Sequence, residues 1–496
     1  MTRARTVGFW ALAALLAATH VVVAWQSLVV ARFWEDEAFN LTVPLNLLSG
    51  LGYSSDGALS GSEITPFDPR ISTGPTVLLP VAAVLATGID PVLGARLVPL
   101  AFWALLLAGL WVLGRRIAGR WAGLLAVALP LGFDATGGFS PIQGPADVLG
   151  EIPAAALLVW ALVVLPRRAW LAGLLVGLAV QAKFIAILAL PAFAVAIWAL
   201  APGRGWPRFG TTVKRAWLPL VIAGLPSLAV ELAALVSLGP AGYVTHLRNL
   251  WYFVASGGQR GAHSTILEKL TALADAWFVP AWAVVVLALA ALALVIGGFL
   301  AERRRGRRVP ALVRANLLAG LVGLGAFVGW WATASHTPLW VRHPAVGVFA
   351  FVPVLAVIAI WSGRRLLRVV SEAPTPRRSA PRTAVRITAV ALLAALGLGA
   401  AAGAAGHVRQ SIEPRRETLA AQRAAVEPIR QWVAHTETPW LAAQPWGAAV
   451  SAIVLSGAHV GLFDAPAMAE VPRLTGEACA TELLAEGQGY RVCAAP

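Results

Sequence analysis

Apolar residues run along this chain in stretches of roughly 17 to 25, the length a helix needs to cross about 30 Å of hydrocarbon, and polar connections separate them. The stretches are uniformly apolar rather than alternating, so they predict spanning helices and not the strands of a membrane barrel. Spans fall near 7–30, 92–113, 121–134, 148–165, 169–182, 184–200, 216–238, 277–300, 315–334, 344–362 and 386–406. The first is too long for the core of a signal peptide and lacks a small-residue cleavage site, so it is read as a retained span. The stretch 169–201 fits either one long helix or a tight pair of short ones. A pair reversing near Gln181 to Phe184 keeps Arg167/Arg168 and the Arg204 to Arg215 cluster on one side of the membrane and leaves Lys183 on the other.

The connections are unequal. Residues 31–91 form a long loop containing a short apolar piece, Thr76 to Ala86, bracketed by Pro75 and Pro80; it is too short to cross and is expected along the interface. A second long loop, 239–276, carries Tyr243, His246, Arg248, Trp251, Tyr252, Arg260 and His263 and suits a mobile lid or substrate-binding element. Residues 371–385, rich in Pro, Arg and Ser, read as a flexible linker. The polar tail 407–496 is long enough to fold by itself. Helical composition at 413–435 and 447–456 and strand-like runs at 459–463 and 490–494 predict a small α/β domain. The expected fold class is therefore an α-helical polytopic membrane protein of about 11 spans, residues 1–406, followed by a C-terminal α/β domain, 407–496.

Composition agrees: 58% of residues are hydrophobic and 13% charged, a balance that calls for lipid as solvent. A net charge of +15 could serve a nucleic acid, but its distribution argues otherwise. Arginines cluster at 3/5, 115/116/120, 167/168, 303–308, 364/365/368 and 377–386, while Glu35, Asp36, Glu37, Asp56, Glu63, Asp68, Asp134, Asp147 and Glu151 occupy the alternate connections. This is the positive-inside pattern. It predicts a cytoplasmic N-terminus, an extracytoplasmic C-terminal domain, contact with anionic headgroups and no nucleic-acid partner. Both cysteines, Cys479 and Cys493, lie in the tail, where an oxidising compartment favours a disulfide. The arginine- and alanine-rich, lysine-poor composition points to a bacterial plasma (inner) membrane.

Candidate chemistry concentrates in Phe33-Trp34-Glu35-Asp36-Glu37-Ala38-Phe39-Asn40, directly after the first span. Three adjacent acids at a membrane surface repel one another. Either they are a solvated loop that fixes topology, or one is a general base whose neighbours orient a substrate or bind a metal. The stretch resembles the GT-C superfamily, in particular the protein O-mannosyltransferase and aminoarabinose-transferase-like membrane glycosyltransferases, whose first outer loop opens with an Asp-Glu pair matched by Asp36-Glu37. Thr73-Gly74-Pro75-Thr76-Val77 is similar to the family's proline motif before its interfacial helix. Here Thr73-Gly74 stands where the family has His or Lys, so the contact made there is either absent or supplied by Arg70. Gly119-Arg120-Trp121 resembles the inner turn, Asp147 the second-loop acid, Lys183 a lysine near the lipid phosphate, and Arg342-His343-Pro344 the arginine-bearing outer loop.

The resemblance implies an inverting glycosyltransferase that uses a polyprenyl-phosphate-linked sugar donor and a glycan, lipid or protein acceptor. Asp36 would be the base, and Lys183, Arg342, Arg70 and Arg248 would hold phosphate. Glu37 and Asp147 would orient the sugar or the base. His246, His263, His336 and His343 have no metal-ligand spacing, so no cofactor is fixed, and a divalent metal at the acids stays open. Two other classes fit a polytopic chain: a transporter or flippase of a lipid-linked sugar, against which stand the missing internal repeat and the lack of mid-membrane charges, and a non-catalytic envelope scaffold. Asn40-Leu41-Thr42 also matches a short glycosylation pattern.

Overall fold

The computed structural model describes residues 3–68, 73–137, 140–203, 205–256, 263–371, 380–415 and 417–496. In chain order its helices begin with α1 (Arg3–Trp25, continued by a π-helical turn to Val30), α2 (Glu35–Leu48), α3 (Pro75–Leu85), α4 (Pro91–Ala118) and α5 (Arg120–Ala128). The bundle continues with α6 (Glu151–Val164), α7 (Ala169–Ala182), α8 (Leu190–Leu200), α9 (Gly205–Ser256), α10 (Ile266–Asp275), α11 (Ala281–Arg304), α12 (Ala311–Thr333), α13 (Arg342–Ser371) and α14 (Ala380–Ile412). Every predicted span coincides with one of these helices. Among the described residues 7 helices are long and apolar enough to cross a membrane, and α5 to α8 are shorter apolar segments.

Packing, rather than apolarity, decides which helix is central. In lipid the hydrophobic effect does not drive helices together, so close approach depends on small residues and interhelical polar contacts. Gly323 and Gly347 lie where a methyl group would run into Phe351 and Phe327, and they let α12 and α13 meet. The apolar stretch of α13 is 83% buried against 6% for α9, which makes α13 the axis and α9 a lipid-facing helix.

The predicted reversal near Gln181 to Phe184 occurs at Lys183, which leaves helical backbone (φ −149°, ψ 115°) before a 3-10 turn over Phe184–Ala189. Its two arms separate, α7 packing on α6 and α9, and α8 on α12. The basic connections collect at one end of the bundle and double as helix caps. Arg116 donates to Val163 O (2.9 Å), Arg305 to Val369 O (2.9 Å) and Arg364 to Ala118 O, each carbonyl in the last turn of its helix.

One expectation is corrected. The described residues of the connection 239–276 are mostly helical rather than a loop: α9 bends at Gly239 (φ +68°) and stays helical to Ser256, and α10 runs over Ile266–Asp275, while Arg260 lies outside the described residues. Thr265 and Glu268 form a reciprocal capping box that starts α10, a Thr-x-x-Glu signal present in the sequence. Lys269 of α10 is buried and donates to Trp331 O, Ala334 O and Thr337 Oγ1, all at 2.6 Å, closing the end of α12. Most of the expected linker, 372–379, lies outside the described residues.

After α14 come α15 (Leu419–Thr436), β1 (Trp440–Ala443), α16 (Ala449–Ser456), β2 (His459–Leu462), β3 (Arg473–Thr475), β4 (Leu483–Gly487) and β5 (Tyr490–Cys493). The sheet order is β2-β1-β3-β5-β4. β1 pairs in parallel with β2 and β3, and β5 antiparallel with β3 and β4. Helix α16 makes the crossover that a parallel β1–β2 pair requires. Cys479 and Cys493 are disulfide-bonded, with Cα atoms 5.5 Å apart. This small domain sits on α2: Phe39 and Trp446 rings lie 3.9 Å apart, and His459 Nδ1 is 3.0 Å from Asn46 Oδ1.

Candidate active site

Glu35, Asp36 and Glu37 form the first turn of α2, where carboxylates favour the positive end of the helix dipole. Successive helical residues point about 100° apart, so the three acids do not share a site. Each meets a different arginine: Glu35 meets Arg32 (3.3 Å), Asp36 meets Arg342 (2.5 Å) and Glu37 meets Arg96 (2.6 Å).

The Glu37–Arg96 pair is wholly buried. Arg96 Nε and Nη2 donate to the two Glu37 carboxylate oxygens, and its remaining donors reach Leu28 O, Ala31 O and Arg32 O at 3.2, 2.9 and 2.8 Å. Val148 N donates to Glu37 Oε1 (3.2 Å). One arginine of α4 thereby joins the end of α1, the start of α2 and the 140–150 connection. Glu37, expected beside Asp36 at the catalytic centre to orient the sugar or the base, is instead turned into the interior against Arg96. Arg96 was missed, although an arginine inside an apolar span is itself a signal.

Asp36 points the other way. Arg342, the first residue of α13, also approaches Glu151 (Nε to Oε1, 3.4 Å), and Lys183 Nζ reaches the same Glu151 oxygen at 2.9 Å. Asp36, Arg342, Glu151 and Lys183 thus alternate in sign along one chain of contacts, drawn from the ends of four helices. Gly150 makes that convergence possible: a methyl group there would overlap the Ala182 carbonyl oxygen, so α6 could not bring Glu151 beside Lys183. Gly74 N donates to the same carbonyl (3.3 Å) and ties α3 to this corner. Ser140 Oγ stands 3.5 Å from Asp36 Oδ2, and the Trp34 ring lies under the Arg342 guanidinium at 5.6 Å. Glu151 is 1% exposed and Asp36 19%, so Asp36 is the carboxylate open to solvent.

The other expected residues divide. Asp147 is buried near this corner without touching Asp36; its Oδ2 accepts from Gln143 N (2.5 Å), and burial, then the Glu37 carboxylate, push its carboxyl well above the ordinary aspartate range. Arg248 is exposed on α9 and is not joined to the cluster. Arg70 lies outside the described residues. Asn40 is 1% exposed and its amide donates to Thr73 Oγ1 and Val148 O, which rules it out as a glycan acceptor. Among the described residues no group of three or more His, Cys, Asp or Glu side chains converges as a metal site. Two cations beside a partly exposed carboxylate can bind an anion and accept a proton at adjoining positions.

No family model matches the chain, and no curated protein matches it. Its fold is similar to that of ArnT from Cupriavidus metallidurans. The crystal structure bound to undecaprenyl phosphate aligns over 100% of this chain and 99% of that one, with TM-score 0.56 and 13% sequence identity. The apo structure aligns over 98% of each chain with TM-score 0.52 and 14% identity. The likeness is one of fold, and the architecture expected from the sequence, a bundle of apolar helices followed by a small C-terminal α/β domain, is the one observed.

Proposed function

We propose that this protein is a glycosyltransferase that moves a sugar from a polyprenyl-phosphate donor to an acceptor hydroxyl. The observation that carries the reading is the Asp36–Arg342–Glu151–Lys183 chain, set in a fold shared with a protein crystallised on undecaprenyl phosphate. Depth supports it as well. At 14 residues each, α6 and α7 are about 21 Å long, roughly 9 Å short of a hydrocarbon core, which in this reading lets their adjoining ends, with Glu151 and Lys183, meet a lipid-borne phosphate.

In this reading Asp36 takes the acceptor's hydroxyl proton while the oxygen forms a bond to the anomeric carbon. The bond from that carbon to the phosphate oxygen breaks, configuration inverts, and polyprenyl phosphate leaves with the bonding electrons. Arg342 and Lys183 hold the departing charge. Because Arg342 is already paired with Asp36, the donor phosphate must take it over. Glu151, almost without solvent, stays paired with Lys183 at 2.9 Å, whereas Asp36 can release Arg342 and turn toward water. Phosphate binding therefore frees the carboxylate oxygen that the acceptor proton needs. Glu37 acts from inside by fixing α2 through Arg96, and Asp147 supports the same corner. The bundle sits in a bacterial plasma membrane with its basic end cytoplasmic and the C-terminal domain outside, and the acceptor is a glycan, lipid or protein.

The test is transfer from a panel of radiolabelled polyprenyl-phosphate sugars to membrane acceptors by the purified protein and its Asp36→Asn variant. Loss of transfer with donor binding kept supports the reading. Transfer retained by the variant removes Asp36 from the role, and donor binding without transfer by either protein turns the assignment to a flippase or scaffold.

A further inference from the structure

The geometry points to Gln422, in the C-terminal domain, as a positioning residue for Asp36; this rests on the reading of Asp36 as the proton acceptor. Residues 31–34 are the short extended link between α1 and α2, and Trp34 at its end is the N-cap of α2 (φ −104°, ψ 173°). Phe33, fully buried, donates its N–H to Gln422 Oε1 at 2.6 Å, and Gln422 Nε2 donates to Phe33 O at 2.9 Å. One side-chain amide thus stands in for a neighbouring strand. Just before it in the link, the carbonyls of Ala31 and Arg32 are taken by Arg96. Buried backbone groups must find partners, so this link is held from one side by the membrane bundle and from the other by α15.

Further contacts fix α15 itself. Ala31 forms an antiparallel bridge with Thr418, the N-cap of α15. Arg423 Nη2 contacts both Asp90 carboxylate oxygens at 2.7 and 2.8 Å, pinning α15 to the start of α4. The Arg32–Glu417 pair (3.0 Å) is, like the Arg423–Asp90 pair, partly exposed, and each contributes little energy by itself. Asp36 stands three residues beyond Phe33, so a shift of the link is carried into the first turn of α2 and changes how Asp36 faces Arg342. The C-terminal domain is on this account part of the catalytic geometry, and Gln422 is the contact that holds the link leading to Asp36.

Full-length Gln422→Met, which keeps the side chain's length and removes both hydrogen bonds, separates positioning from general support. Amide hydrogen exchange comes first because it requires no donor: peptides covering 31–38 should lose protection in the variant while the α13 peptides keep theirs. Unchanged protection at 31–38 overturns the clamp. Kinetics follow, with kcat for sugar transfer expected to fall by about tenfold or more, since a displacement on the order of 1 Å can cost about 100-fold, and with KM for the donor and Tm little changed. In an Asp36→Asn background the same substitution should have no further effect on the residual rate. An unchanged kcat, a rise in KM alone, or equal loss in both backgrounds overturns the positioning role. If the unaltered protein transfers no sugar, the proposed function fails, and the exchange result still judges the clamp.

Discussion

On the proposed function, replacing Asp36 by Asn should make the protein bind a polyprenyl phosphate such as undecaprenyl phosphate more tightly while leaving only a small residual rate of transfer. The reasoning is competition: in the structure Arg342 is engaged by Asp36 at 2.5 Å, and an incoming phosphate must displace that carboxylate. Two unit charges about 4 Å apart interact by about 4 kcal/mol at an effective dielectric constant near 20. Asp36 is 19% exposed, water screens part of that, and an asparagine keeps a hydrogen bond to the guanidinium. About 1.4 kcal/mol then remains, which is about tenfold in Kd. Calorimetric titration of the purified full-length protein in detergent with undecaprenyl phosphate measures it directly, and Arg342→Gln should move Kd the other way by a comparable factor. An Asp36→Asn protein that binds equally or more weakly would refute the exchange, because the carboxylate would then not be competing for Arg342.

The remaining predictions follow from particular contacts. Arg96→Met should destabilise the protein by about 3 to 5 kcal/mol, seen as a lowered Tm, because it strands the buried Glu37 carboxylate; the Glu37→Met/Arg96→Met double variant should recover much of the loss. Asp147 has a folded-state pKa above its unfolded value, so the native protein holds a proton that the unfolded chain has released, and stability falls as pH rises from the ordinary carboxyl range through the raised value. Asp147→Asn should remove that slope, making the variant the more stable protein at pH 8 with an advantage that shrinks toward acid, as denaturation at a series of pH values will show. The Cys479→Ser/Cys493→Ser variant should unfold its C-terminal domain more easily, by about 3 kcal/mol for a loop of this size, read by limited proteolysis.

Much of the fold was legible from periodicity and charge. Long apolar runs must be helices in lipid, because a spanning backbone has to satisfy its own hydrogen bonds, and arginine-rich connections mark one end because anionic headgroups gather there. The same signals located the reversal at Lys183 and the folded tail with its cysteine pair. The helical character of 266–275 was written in the Thr265/Glu268 capping box, while that of 240–256 was obscured by mixed aromatic and polar residues. Asp36, Lys183 and Arg342 were singled out from the residues and the family resemblance, and the fold brings those three together.

What the one-dimensional pattern did not contain is pairing. Asp36 and Glu37 are neighbours in the chain, yet helical rotation sends one to a partly exposed corner and the other into the interior against Arg96. The partners Arg96, Arg342 and Gln422 come from positions 59, 306 and 389 residues away from Glu37, Asp36 and Phe33, the residues they contact. Contacts at such separations leave no local periodicity. They exist because Gly150 lets two helix ends touch and because the tail folds back over α2, and only the assembled bundle could decide either.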